Sequence, residues 1–399
     1  MFRRCCALFM LLLCCLVLLT ACGGGQEIET CLFVLALGID PAPDGSLTVT
    51  AKALSGSQDS PESGQSGESG GSSGGEGGAQ SASSTEQSEP GYITLSATAA
   101  SSLRAMSLLS ATTPRTLNLS QLREVVINQT LAESGATLTI LREIYAIFRA
   151  NGAAIIVVTP DNAGDFVRSQ RASLGVRLSQ HLDLLFDHFA QLGTIPPDTT
   201  LSSVISAMES SVCDAMAVYA ATNDFENTLV LAGDEDLNRL PGHLPRTAPF
   251  TNEYLGTALF SGPRMTGTLT GEETSILNLI TGSTFSQMTI IGGAQYKVNA
   301  RPNIKRHISR EDGALEVHVS ISFTHIAGDI DQTSQELAAE LERSAVHLLA
   351  RLQACESDAA CYGHLAVRGF PDIASWEAYD WRAAYGNAPV RATVDVRIL

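Results

Sequence analysis

The sequence predicts an α+β protein: two to three mixed α/β domains, with mixed or antiparallel sheets flanked by helices. Three observations carry this expectation. In the N-terminal half, apolar residues recur at i, i+3, i+4 and i+7 in several segments, and short β-branched runs separate them. The C-terminal half instead places long apolar–polar alternations around one long helical stripe. At 399 residues with 44% hydrophobic content, the chain is larger than one typical core.

The chain starts with an address. Arg3 and Arg4 precede an apolar run from Ala7 to Ala21 that ends in Leu19-Thr20-Ala21-Cys22-Gly23. A basic start followed by about fifteen apolar residues reads as an export signal, because a spanning helix needs roughly twenty. An ordinary cleavage site wants small residues at −1 and −3, whereas here Leu19 stands at −3 and a cysteine follows the cut. The pattern resembles the lipobox of bacterial lipoproteins. Residues 1–21 are then a lipoprotein signal peptide, and Cys22 becomes the acylated N-terminus at the head of a tether, 22–30. Cys5, Cys6, Cys14 and Cys15 follow arginine, leucine or another cysteine, and of the five cysteines in this segment only Cys22 follows an alanine. At about 0.8 kcal/mol per buried CH₂, two acyl chains hold a protein to a bilayer firmly.

Charge narrows the partners. Without Arg3 and Arg4 the formal charge moves from −17 to −19. A nucleic-acid binder needs clustered Lys and Arg, and anionic headgroups repel an acidic surface, so the lipid must do the anchoring. No second segment is long and apolar enough to span a bilayer.

From Cys31 to Leu37 the chain is apolar and strand-like, and Ser46–Leu54 and Tyr92–Leu95 also read as strands. Between them, 55–90 is a Gly/Ser-rich tract with almost no apolar side chains, expected to be disordered and to form an overgrown hairpin loop. A helix over Ala99–Ala111 leads to a strand at Leu122–Ile127. Next comes a helix marked by Leu141, Ile144, Tyr145 and Phe148, and then a buried strand at Ala153–Val158. Two more helices follow, on Leu182, Leu185, Phe186 and Phe189, and on Leu201, Val204, Ile205 and Met208. These elements make an N-terminal α/β domain, 31–221. The polar, turn-rich stretch 222–252 reads as a linker to a C-terminal α+β domain, 253–399.

That second domain opens with strands at Tyr254–Phe260 and Met265–Leu269. Thr270 and Glu273 have capping-box spacing at the start of a helix. Leu315, Val317, Val319, Ile321 and Phe323 alternate with polar residues as a half-buried strand. A second capping box, Thr333 and Glu336, opens a long helix with Leu337, Leu341, Ala345, Leu348 and Leu352 on one stripe. Val390 to Ile398 closes the chain as another alternating strand. Beyond Cys22 the mature chain holds Cys31, Cys213, Cys355 and Cys361, which allow three pairings. Cys355 with Cys361 would close a short loop.

Motifs for catalysis are weak. Gly67-Glu68-Ser69-Gly70-Gly71 matches the nucleophile elbow G-x-S-x-G, but a Gly/Ser tract generates such matches by composition and lacks the flanking strand and helix. His181, Asp183, Asp187 and His188 are dense, yet on a helix the histidines lie on one flank and the aspartates on the other. His318 and His325, seven apart on a strand, face opposite sides. Glu272 and Glu273 are adjacent, and Glu273 reads as a cap. No C-x-x-C or other metal-ligand spacing is present, and neither an enzyme nor a cofactor is expected.

Several blocks, taken in order, resemble the C subunits of spore germinant receptors, the Ger(x)C lipoproteins. They are Cys22 with Glu27-Ile28-Glu29 and Leu32 to Asp40; Thr113-Pro114-Arg115-Thr116-Leu117; Ala258-Leu259-Phe260 through Gly267 to Leu269-Thr270-Gly271-Glu272-Glu273-Thr274; and Trp376 with Val394-Asp395-Val396-Arg397-Ile398. The chain departs from the family pattern in having Gly23-Gly24-Gly25 where members usually carry a Trp-Asp pair, and only a loose Cys361-Tyr362-Gly363 for a Gly-Phe-Gly-like patch. The resemblance implies a non-catalytic, lipid-anchored subunit beside membrane-embedded A- and B-type receptor subunits, on the outer face of the spore's inner membrane. It would act in nutrient-triggered germination by assembly or signal coupling. The alternative from a different class is a solute-binding lipoprotein that delivers a small ligand to a transporter.

Overall fold

The computed structural model describes residues 30–55, 91–172, 177–223, 238–244, 251–283, 288–291, 294–299, 301–327 and 333–399. The signal segment, Cys22, the Gly/Ser tract with its G-x-S-x-G matches, and 224–237 of the linker lie outside the described residues.

Nine strands form the first sheet: β1 (Cys31–Pro41), β2 (Leu47–Leu54), β3 (Tyr92–Ala99), β4 (Thr116–Asn118), β5 (Glu124–Asn128), β6 (Ile155–Thr159), β7 (Met216–Thr222), β8 (Asn252–Ser261) and β9 (Arg264–Leu269). Their order is β3-β2-β1-β5-β6-β7-β8-β9, with β4 beside β1. The middle, β1-β5-β6-β7, is parallel, and the two flanks are antiparallel. Parallel strands buried on both faces read as continuous apolar runs, which is why Cys31–Leu37 and Ile155–Val158 lack alternation. β2 and β3 pair from Leu47↔Ala99 to Leu54↔Tyr92, and the Ser55 N–H donates to the Gly91 carbonyl at 3.0 Å. The Gly/Ser tract is therefore inserted in a hairpin closed at its base.

Helices cover both faces. On one side lie α1 (Ser102–Ala111), the short α2 (Gln129–Glu133) and α3 (Thr137–Arg142), and α6 (Leu201–Met208), packed on Ile39, Val125 and Ile127. On the other lie α4 (Ala163–Ser169) and α5 (Leu178–Leu192), whose Phe166, Leu182 and Phe186 meet Val126 and Val157. Gly38 lets α4 approach, since a Cβ there would stand 2.5 Å from the Ala163 carbonyl oxygen. Two residues on, the Asp40 carboxylate accepts the N–H groups of Ala163 at 2.7 Å and Gly164 at 2.9 Å, satisfying donors that a helix start leaves open. Leu32-to-Asp40 thus combines a core strand with the cap of a helix above it.

One helix differs from expectation. The stripe Leu141, Ile144, Tyr145, Phe148 falls on α3 and a π turn at Glu143–Ile147, so Leu141 and Ile144 are buried while Tyr145 is 43% exposed. The Glu143 carboxylate is drawn to the start of α1, where it accepts the Leu103 N–H at 3.1 Å. The wide turn rotates the following side chains off the helical stripe.

Five strands form the second sheet: β10 (Met288–Ile291), β11 (Ala294–Val298), β12 (Asn303–Ile308), β13 (Leu315–Ala327) and β14 (Val390–Ile398). β13 pairs with β11 and β12 antiparallel and with β14 parallel. The long α8 (Ser334–Ala354) lays its whole predicted stripe onto this sheet, and both capping boxes are formed, at Thr270–Glu273 and Thr333–Glu336.

The hairpin β8–β9 stands at the start of the expected C-terminal unit, 253–399. It is hydrogen-bonded to β7 and completes the first sheet. Its two faces serve different cores: Ala258, Phe260 and Met265 join the first, and Leu259 and Leu269 join the second. Period-two side chains with cover on both faces leave β8 buried from Glu253 to Phe260. The helix α7 (Gly271–Thr281) that follows is also buried nearly all round, as expected of a helix between two layers.

Candidate functional site at the junction of the two sheets

The segment after α6 and the segment after α8 meet where the two layers join. Asp214, just before β7, is only 6% exposed at its side chain. Its carboxylate accepts the Asp358 N–H at 2.9 Å, the Gly262 N–H at 2.9 Å and the Arg382 guanidinium at 2.7 Å. Asp358, buried beyond the end of α8, accepts the N–H groups of Tyr362 at 2.8 Å and Gly363 at 2.6 Å and the indole N–H of Trp381 at 3.1 Å. Burial pushes the Asp358 carboxyl up to about 7; those three donors pull it back only in part.

Other bonds cross the same seam. Trp376 donates its indole N–H to the Ser211 hydroxyl at 2.9 Å. Gly363 lies so close to the partner segment that a Cβ would stand 2.6 Å from the Val212 carbonyl oxygen. A disulfide joins Cys213 to Cys361, so the short loop between Cys355 and Cys361 is not the bridge; Cys355 is a buried free thiol. A cavity of about 430 Å³ opens here, lined by the rings of Trp376, Tyr379, Trp381 and Tyr385 and by Asp214, Asp358 and Glu356. Rings plus carboxylates make a surface for contact and for cations, and no nucleophile–base pair faces it among the described residues.

A second buried polar group lies within the first sheet's α5 side. Glu124 accepts from the Gln170 amide and, at 3.2 Å, from the Tyr254 hydroxyl, while Lys52 donates to the Gln170 carbonyl at 2.5 Å. Burial raises the Glu124 carboxyl to about 7, and raises the Tyr254 hydroxyl well above its usual value.

The side chains singled out from the sequence are dispersed. Asp183 pairs with Arg123 at 3.4 Å, and the His188 ring lies 5.8 Å from that of Phe189. His181 sits beside Gln170 and Tyr254. Glu273 caps α7, and His325 packs edge-on against Tyr296 at 5.7 Å, on the face opposite His318. Among the described residues, two groups of ligand-type side chains do converge within 4.8 Å: Cys213, Cys361 and His364, and His307, Glu316 and His318. In the first, both sulfurs are taken by the disulfide. Asp214, Asp358 and Arg382 were not visible as a site in the sequence, where 144 residues separate the two aspartates. The one signal was the Cys361-Tyr362-Gly363 patch, whose N–H groups cap Asp358.

Two family models match the chain: "Spore germination protein N-terminal domain" over residues 24–222, and "Spore germination B3/ GerAC like, C-terminal" over residues 255–399. No curated protein matches. A solved structure described as the crystal structure of the GerBC protein aligns with 91% of this chain and 96% of its own, at 13% identity and a TM-score of 0.48.

Proposed function

The chain belongs to the spore germination GerAC family, and from that membership we propose that it is the lipid-anchored C subunit of a germinant receptor. Through acylated Cys22 it is held at the outer face of the spore's inner membrane beside membrane-embedded A- and B-type subunits. Its work there is assembly or signal coupling, without catalysis. The observation that carries this reading is the run of matches at 24–222 and 255–399, which spans almost the whole mature chain in order. The junction supports it in kind: a disulfide and a bonded aspartate pair tie two layers into a body that transmits contact, as a coupling subunit requires.

Deleting the gene and scoring nutrient-triggered germination against sporulation and vegetative growth tests the proposal. Loss of the response to at least one nutrient, with growth and sporulation normal, is the expected result. Unchanged germination for every nutrient, in a strain without sister receptors, overturns it.

The ring-lined cavity favours one second reading, capture of a small solute, since about 300–1,000 Å³ is the usual size of ligand pockets. Calorimetry with amino acids, sugars and short peptides separates the two. Tight, stoichiometric heat from one of them supports capture.

A further inference from the structure

The outer face of the second sheet gathers three ligand-type side chains that lie on two strands. His307 is on β12, and Glu316 and His318 are on β13. The antiparallel register sets His307 opposite Glu316 and Lys305 opposite His318. These positions alternate with Leu315, Val317 and Val319, which face the core, so all four project outward. The His307 Nε2 lies 2.6 Å from Glu316 Oε2, and the His318 Nε2 lies 4.0 Å from the same oxygen. The two imidazoles stand face to face, 5.3 Å apart and 3° from parallel.

The carboxylate between them is oriented from behind. Arg391, opposite Glu316 on β14, donates to Glu316 Oε1 at 2.8 Å and leaves Oε2 toward the rings. Asp312 in turn binds the same guanidinium and balances its charge. A ligand carboxylate fixed by an outer partner, which is itself paired, is the usual construction around a bound metal.

We propose that His307, Glu316 and His318 bind one divalent transition ion of the zinc class. Ligand atoms on a tetrahedral ion with bonds of about 2.0–2.1 Å stand roughly 3.3 Å apart, and the observed 2.6 Å and 4.0 Å bracket that separation. Parallel rings do not aim their lone pairs at one point, so each must turn about its side-chain torsions. Both side chains are about half exposed, at 49% and 48%, and are free to do so. Two imidazoles and one carboxylate suit zinc over calcium or magnesium, which prefer all-oxygen shells. Three protein ligands leave a fourth position for water or for a donor from a neighbouring subunit. Lys305 is the nearby cation that opposes binding, and its exposed, flexible stem lets the charge swing away.

The test is equilibrium dialysis of the untagged full mature chain in detergent, with its disulfide intact, against zinc chloride at neutral pH. Cobalt(II) absorption serves as the geometric probe. One zinc per chain and a four-coordinate cobalt band are expected, with His307→Gln and His318→Gln each weakening binding by about tenfold or more. The double variant should lose both signals, while Lys305→Ala binds at least as tightly as the parent. Circular dichroism confirms that these surface variants fold. Failure of the parent chain to retain zinc at equimolar concentration overturns the proposal, as does retention that the double variant leaves unchanged.

Discussion

Asp214 and Asp358 are bonded to each other twice: the Asp358 N–H donates to the Asp214 carboxylate at 2.9 Å, and the Asp214 N–H donates to the Asp358 carbonyl at 3.2 Å. Removing the Asp214 carboxylate strands the Asp358 N–H, the Gly262 N–H and one face of Arg382 at once. Asp214→Ala should lower the unfolding free energy by about 2–4 kcal/mol in a denaturant titration. Arg382→Ala, at a side chain that is 48% exposed, should cost less than about 1 kcal/mol. Equal losses for the two variants would contradict the carboxylate's role as the hub.

The Cys213–Cys361 bridge closes a loop with a sequence separation of 148. Replacing either partner with serine should cost about 2–5 kcal/mol, chiefly by freeing the unfolded chain. Cys355→Ser should leave the bridge in place. Peptide mapping without reductant reads the pairing directly, and a Cys355–Cys361 peptide would refute it.

Acidity should stabilise this protein over part of the range. The Asp358 and Glu124 carboxyls are both raised by burial to about 7, from the usual 3.8 and 4.5. Between the unfolded and folded values the native state binds more protons than the unfolded one, so stability falls as pH rises from about 4 to about 7 and then levels off. Melting temperatures across that interval should decline, and Glu124→Gln should flatten the slope. A rising melting temperature would oppose this assignment.

Gly38→Ala should destabilise the first sheet by about 1–3 kcal/mol, because its Cβ would press on the backbone of Ala163 and push α4 off the strand. Hydrogen exchange should quicken at the Ala163 and Gly164 amides, which Asp40 now holds. Protection equal to that of the parent would count against the close approach.

Cys22→Ala should move the protein from the membrane fraction to the soluble fraction of disrupted spores. Mass spectrometry of the parent's N-terminal peptide should carry the acyl mass on Cys22. Retention of the alanine variant on membranes would assign the anchor elsewhere.

Much of the fold was legible because period carries burial. The alternation of Leu315 to Phe323, the stripe of α8 and both capping boxes appear as the sequence implied, since each depends on neighbours within a turn or two. The two strands of the hairpin β8–β9 were legible as well, but not the sheet they join, because a fully buried strand looks alike whichever core it serves. The junction and the His307–Glu316–His318 group were illegible for a related reason. Asp214 finds Asp358 across 144 residues of chain, and His307 finds Glu316 only once the turn between β12 and β13 fixes their register, which spacing along the chain does not set.

The position of β1 has a mechanical consequence. β1 begins nine residues after Cys22 and runs through the interior of the first sheet, bonded to β2 on one edge and to β5 on the other. A pull on an acylated N-terminus would load both ladders in shear and reach the centre of the body before any edge could peel. If Cys22 carries the proposed lipid, at most about 30 Å of extended chain would separate it from the strand, short enough for a shift in the bilayer's proteins to be felt there as strain.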